Sequence, residues 1–339
     1  MLALALTGCS FRRPPPVDPL PVVFSEESTP PIEQIIAAVN RTDAIEKMQS
    51  TSTTIELVDT GYPRLSASLA VARPHGLSIK GGIGLLPGTG FDLGSNDQVF
   101  WMRYPEGVYK TLVYASHDEY ESNLLSGPLP VNPKWLIEAM GLVHLDPQLV
   151  IETPIRRADG HWEIRTQIPT ASGTFRRILV VDGNGGFVLQ QAIYDPFGRL
   201  VASAQGADFR YYDQEDVVLP HSVNIRILST SAPPLSMQIE IGGYVLNQLL
   251  GEEAALFQLP AEGNHQMIDL NRMPESLPPA HSAPAGTTDN APSLGNIPSL
   301  GNALPADTPP LPAPITHYVP ATAQGPQLRG TPSEPMLQR

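Results

Sequence analysis

Between residues 51 and 246 the apolar residues of this chain recur at every second position, in run after run. Leu65, Ala67, Leu69 and Val71 alternate with Ser66, Ser68 and Ala70, and Trp162, Ile164 and Ile168 alternate with Glu163, Arg165 and Gln167. The same holds for Val223, Ile225 and Ile227 against Asn224 and Arg226, and for Met237, Ile239 and Ile241 against Gln238 and Glu240. Successive side chains of a strand point to opposite faces, so these runs are strands of a sheet with one apolar and one wet face. The breaks carry turn chemistry: Asp159-Gly160, Asp182-Gly183-Asn184-Gly185-Gly186 and Asp195-Pro196-Phe197-Gly198, with Pro105-Glu106-Gly107 parting VFWMRY from VYKTLVY. About eleven to thirteen strands in meander order follow from this punctuation.

Helical spacing is confined to a few places. Thr29-Pro30-Pro31 precedes Ile32, Ile35, Ile36 and Val39, which predicts an amphipathic helix over 31–40. A weaker helical stretch is expected over Asp43 to Met48. Asn132-Pro133 opens, and Gly141 closes, a helix whose face carries Trp135, Leu136, Ala139 and Met140. The predicted class is mainly β: a strongly curved antiparallel sheet or unclosed β-barrel, two or three α-helices covering its concave side, with 31–271 as one domain.

The flanks differ in composition. Of 37 prolines, 15 fall after Arg272, in a stretch with Tyr318 as its one aromatic residue. Such a segment buries too little apolar surface to offset the entropy of ordering it, so 272–339 is expected to be a disordered, proline-rich tail. Its repeated Pro-Ser-Leu-Gly-Asn at 292–296 and 298–302 is too short to be a folding unit. Residues 9–30 hold prolines at 14, 15, 16, 19, 21 and 30 and are expected to form an extended tether; the competing expectation is an arm packed through Val22, Val23 and Phe24. At roughly 3.1 Å per residue, residues 10–30 would span on the order of 65 Å.

Several function classes lose support at this level. The net charge is −13, and no Lys/Arg cluster offers the basic patch a nucleic acid needs. The eight histidines show no HxxxH or HExxH spacing, and with one cysteine a thiolate metal cluster is out, so no metal or cofactor is expected. GxSxG and GxxxxGK[ST] do not occur, and GGIGLLPGTGFDLG at 81–94 contains no GxGxxG; it reads as a loop running into a strand. His117-Asp118-Glu119-Tyr120-Glu121 and Asp213-Gln214-Glu215-Asp216 lack calcium-loop spacing and read as solvated loops. Phe100-Trp101-Met102 either packs the core or faces a ligand. No nucleophile with a base and orienter emerges, and the chain is expected not to be an enzyme.

The one cysteine sits in Leu6-Thr7-Gly8-Cys9, which resembles the box that ends a bacterial lipoprotein signal peptide. The resemblance implies diacylglycerol on the Cys9 thiol, cleavage after Gly8 and acylation of the freed amine. Three acyl chains exceed the two signals that stable membrane anchoring takes. Residues 1–8 would then be part of a signal peptide, and since Met1-Leu2-Ala3-Leu4-Ala5 lacks the charged opening, the signal is expected to begin upstream of Met1. The resemblance further implies that Ser10 after the cysteine, under an aspartate retention rule, would permit sorting to the outer membrane, where the chain is expected to face the periplasm.

Behind that box the body resembles the LolA/LolB superfamily of periplasmic lipoprotein carriers and receptors. The likeness rests on the helix at 31–40, the meander, the hairpin FVLQQAIYDPFGRLVASA within 185–204, and a closing segment of Val245-Leu246-Asn247, Leu256-Phe257-Gln258-Leu259-Pro260, Gly263 and Ile268-Asp269-Leu270. It implies helices as a lid over an apolar cavity that holds acyl chains, with a lipid or acylated protein as ligand and a part in envelope lipid or lipoprotein trafficking. Trp101, Trp135, Leu136 and Met140 are the candidate lining residues. The insertion over 115–147 and the long tail depart from the compact carriers. The competing function is a structural or interaction lipoprotein of the envelope, its barrel filled by its own side chains and its tail, with Pro309-Pro310-Leu311-Pro312, reaching a protein partner.

Overall fold

The computed structural model describes residues 19–25, 29–82, 90–103, 111–121, 124, 130–230, 234–261 and 266–272. Cys9, the signal residues, the Pro105 turn and the tail from 273 lie outside them.

Strand β1 (Lys47–Leu57) stands in the middle of one large sheet, and the chain leaves it in a meander through β2 (Leu65–Ala72), β3 (Gly76–Gly82), β4 (Asp92–Ser95), β5 (Val99–Arg103) and β6 (Thr111–Ser116). It then crosses to the far edge and returns inward through β7 (Ile155–Arg156), β8 (Trp162–Thr170), β9 (Gly173–Val181), β10 (Val188–Tyr194), β11 (Leu200–Tyr212), β12 (Val217–Ile227) and β13 (Leu235–Ile241). There β13 pairs with the other side of β1, Ile239 opposite Ile55 and Met237 opposite Leu57. The two-residue β14 (Val245–Leu246) extends that side of β1, and β15 (Gln266–Asp269) adds to β6 as the one parallel pair among the described residues. The sheet is mainly antiparallel, curved and unclosed, since among the described residues its edges, β15 and β7, do not pair.

Strand register fixes the faces. Ile164, Leu179, Gln191, Ala204, Ile225, Met237 and Leu57 stand opposite one another across seven strands. One residue along, the row reads Glu163, Val180, Gln190, Gln205, Asn224, Gln238 and Glu56. The first row belongs to the inner face that helices cover, the second to the wet face, and a slip by one residue would exchange them.

Helix α1 (Ile32–Val39) buries Ile35, Ala38 and Val39 against Trp162, Ile164, Leu179 and Val181. Phe24 belongs to this cluster and is 2% exposed; the amides of Val23 and Phe24 both donate to the Asn184 carbonyl, at 2.7 and 3.0 Å. The packed chain therefore begins within the stretch expected to be a tether. Between the sheet edges run α2 (His117–Glu121) and α3 (Lys134–Ala139), the latter started by Asn132, whose Oδ1 accepts the Lys134 amide at 2.9 Å, and ended at Gly141, φ +99°. Leu136, Ile137 and Met140 of this segment join Ile55, Leu69, Ile79, Phe100, Ile225 and Ile239 in the main core. A short α4 (Glu253–Leu256) and Phe257 pack on Ala70 and Ala72, on the outer side of β2.

Two local expectations are corrected. Asp43 to Met48 is not a helix: a 3₁₀ turn, Asn40–Ala44, gives way to β1, because Met48 finds cross-strand partners in Val71 and Leu246. His117 to Glu121 is a helix and not a solvated loop, held by Tyr120, which is buried edge-on against Phe100 with ring centres 4.8 Å apart. By contrast the turn at Asp195 is as its residues indicate. Its Oδ1 accepts the amides of Phe197 and Arg199, both at 2.9 Å, its Oδ2 accepts Arg199 Nε at 2.7 Å, and Gly198 adopts φ +80°.

Candidate functional site

Where α3 passes over β8, β9 and β10 the inner face is not fully filled, and a half-open cleft of about 270 Å³ remains. Ile168, Phe175 and Ile193 of the strands, Trp135 of the helix, and Leu124, Val131 and Leu149 make its walls apolar; Glu121, Lys134, His144 and Asp146 stand among the other residues lining it. A larger depression of about 950 Å³ lies between residues 72–76, 96–99 and 252–259, but it is open and carries Asp97, Glu252 and Glu253. The cleft is the better ligand site, because apolar walls and enclosure, not size alone, are what a hydrophobic ligand gains from.

A buried charged pair stands among the lining residues. In β9, Phe175, Arg177, Leu179 and Val181 share the inner face, and Arg177 stands opposite Thr166 on β8 and Ile193 on β10. Its Nη2 lies 2.7 Å from Glu138 Oε2 on α3 and donates to Gln191 Oε1 at 2.6 Å, with side-chain exposures of 7% for Arg177 and 12% for Glu138. The pair joins helix to sheet across the cleft. Removing two charges from water is costly unless they meet each other and further hydrogen-bonding groups, and Gln191 supplies one such group. Arg177 Nε and Trp135 Nε1 have neither solvent nor a hydrogen-bond acceptor.

The four candidate lining residues part company. Trp135 forms part of the cleft wall, whereas Leu136 and Met140 are packed in the core beside it. Trp101 lies elsewhere. Phe100 and Met102 take the inner face of β5, so Trp101 between them points outward, where its Nε1 donates to the buried Asp92 Oδ1 at 2.9 Å. The indole lies so close over Gly94 of β4 that any Cβ there would be 2.1 Å from the ring, which is why that position is glycine. Arg177 and Glu138 were not among the sequence candidates; the one signal for them is that Arg177 falls in the apolar phase of its strand.

Among the described residues no three His, Cys, Asp or Glu side chains are grouped to hold a metal, and no helix is long and apolar enough to cross a membrane. The fold and cleft define an open β half-barrel with helices across its inner face. No protein-family model matches the chain, and no curated protein matches it. Solved structures similar to it include a domain from Vibrio parahaemolyticus whose name assigns it to outer membrane lipoprotein sorting, at 14% identity and a TM-score of 0.42 over 65% of this chain and 94% of that one. A LolA superfamily protein from Nitrosomonas europaea (11%, TM-score 0.41, 68% of this chain and 99% of that one) and a DUF1329 family protein from Desulfovibrio piger (13%, 0.41, 67% and 100%) are similar to a like degree.

Proposed function

We propose that this chain is a binding protein, not an enzyme, of the bacterial cell envelope, whose half-barrel holds a hydrophobic ligand, a lipid or an acylated protein. In this reading acyl chains on Cys9 fix it to the membrane, at the outer membrane facing the periplasm, and it serves lipid or lipoprotein trafficking. The observation that carries the reading is the apolar cleft under α3. Burial there contributes roughly 25 cal/mol per Å² of apolar ligand surface, before the costs of association. The anchor rests on the Leu6-Thr7-Gly8-Cys9 box alone.

The full chain, purified without detergent, is expected to bind a fluorescent fatty acid and to carry lipid in native mass spectra. Absence of both overturns the carrier reading. It would favour the second reading, an interaction lipoprotein with a filled barrel and a partner-binding tail, which has its own support in the extent of the inner face that Ile55, Leu69, Leu136, Met140 and Ile225 already fill. For the anchor, palmitate labelling should disappear in Cys9→Ser and respond to globomycin; labelling that persists in the variant removes it.

A further inference from the structure

We infer that the turn between β10 and β11 is a membrane contact: the ring of Phe197 enters an anionic lipid surface, with Arg176 and Arg199 beside it at the phosphates. The inference goes beyond the carrier reading, since it concerns the outside of the half-barrel and stands whether or not the cleft holds a ligand. Phe197 is 74% exposed, while every other described phenylalanine is buried or half-buried. The turn does not ask for it. Pro196 and Gly198 take the positions with special backbone needs, and the residue between them is one that turns commonly fill with a polar side chain. Nor is the ring loosely displayed. The Asp195 side chain, fully buried, accepts the Phe197 and Arg199 amides and Arg199 Nε, so the turn is held from within.

Two guanidinium groups stand near the ring. Arg199 Cζ is 5.3 Å from its centre, and a Cβ on Gly198 would lie 3.4 Å from Arg176 Nη2. Arg176 is exposed and has no ion pair among the described residues, and Asp195 takes only Nε of Arg199. In a chain of net charge −13, a cation left unpaired beside an exposed ring suits an anionic surface. Size favours lipid over protein. A fully buried phenylalanine covers ~150–250 Å², whereas a specific protein interface takes about 800 Å² from each partner. A bilayer needs no matching cavity, because a ring enters the acyl boundary while arginines extend to the headgroups.

The place also fits. Pro196 packs on the turn between β8 and β9, where a Cβ on Gly173 would be 2.8 Å from Pro196 Cγ, and Thr170 and Phe175 at that end of the strands line the cleft. Lipid at the tip therefore lies beside one end of the cleft. The Asn184 turn that holds Val23 and Phe24 is at the other end of β9, nine residues or about 30 Å away at roughly 3.3 Å each. Residues 10–20 span at most about 40 Å, so a chain anchored at Cys9 as proposed can still lay the tip on the same membrane.

The test uses the full chain with Cys9→Ser, so that no acyl chain holds it, and vesicles of phosphatidylcholine with or without phosphatidylglycerol, at millimolar lipid with brominated acyl chains. Trp101, Trp135 and Trp162 are buried, so in Phe197→Trp the added indole is the exposed one. Its emission is expected to shift to the blue and to be quenched by the bromines, more strongly with phosphatidylglycerol. The chain that keeps Phe197 is measured alongside: quenching there reports on Trp135 in the cleft wall, hence on the carrier reading, and the excess in Phe197→Trp reports on the tip. Phe197→Ala should lower vesicle binding about tenfold, the scale of burying one such ring, and Arg176→Gln should remove the preference for phosphatidylglycerol. The turn uses only the amide of Phe197, which every substitution but proline keeps. No excess quenching, or an excess equal in both kinds of vesicle, overturns the inference. A blue shift that grows with protein concentration in the absence of lipid assigns the ring to a contact between copies and also overturns it.

Discussion

Arg177 shows how one residue can be both a structural liability and a tie. On the inner face of β9, at 6% exposure, its charge is tolerable only because Glu138 reaches it from α3. Truncating it leaves Glu138 buried without a counter-charge, so Arg177→Ala is expected to cost about 3–5 kcal/mol in urea unfolding. Replacing both partners by apolar side chains of similar size, Arg177→Met with Glu138→Leu, should return most of that loss, since the desolvation penalty goes with the charges. If the double variant is no more stable than Arg177→Ala, the pair contributes more than mutual neutralisation.

At the scale of elements, β12 carries a second buried polar group with a different consequence. His221 is 2% exposed, and its Nδ1 lies 2.7 Å from the Ile241 carbonyl, which can only accept; Nδ1 therefore carries the proton and Nε2 accepts the Tyr212 hydroxyl at 2.8 Å. Tyr244 closes the cluster edge-on, 5.2 Å between ring centres, and its hydroxyl donates to the Pro220 carbonyl at 2.8 Å. Burial pushes the imidazole below its usual range near 6.5, Arg210 lowers it further, and the Ile241 hydrogen bond and Asp208 oppose them. A depressed pKa means the unfolded chain takes up a proton that the folded one refuses. The neutral-histidine contribution is thus intact above about pH 6.5 and declines as pH falls below it, by up to ~1.4 kcal/mol per pH unit until the folded-state value is reached. Urea midpoints of the unaltered chain should drop between pH 7.5 and 5.0 by more than those of His221→Gln; an equal drop would place the acid sensitivity elsewhere. Elements of this kind were unequally legible. The Asp195 turn and the helix from Asn132 to Gly141 are written in local chemistry, and the alternating runs give their strands directly. Met48 misled because its strand partners, Val71 and Leu246, are far along the chain. Trp135 could be picked out as a large apolar residue on a helix face. Arg177 and Glu138 could not be paired, because although Arg177 falls in the apolar phase of its strand, no local pattern encodes the crossing of α3 that brings Glu138 to it.

For the whole molecule, the position of Phe24 decides where the folded body begins and how far a Cys9 anchor could let it travel. Had the body begun at Pro31, residues 10–30 would all have been linker. With Phe24 in the α1 cluster, and both Val23 and Phe24 amides on Asn184, only residues 10–20 are left to span the gap. Were the chain anchored at Cys9 as proposed, these residues, at no more than ~3.3–3.6 Å each, would reach at most about 40 Å and would keep the body close to its membrane. The energetic side of this boundary can be measured without the anchor. Phe24 packs beside Ile35, Trp162 and Leu179, and removing a buried phenylalanine costs roughly 3–5 kcal/mol, part of it for the cavity left behind. A chain starting at Pro21 should therefore unfold at the same urea concentration as one starting at Ser10, while a chain starting at Pro31 should be less stable by about that amount. Phe24→Ala in the longer chain should reproduce most of the loss, because the two backbone bonds to Asn184 contribute less than the ring. Equal midpoints for the Pro21 and Pro31 chains would return Phe24 to the tether and restore the longer reach.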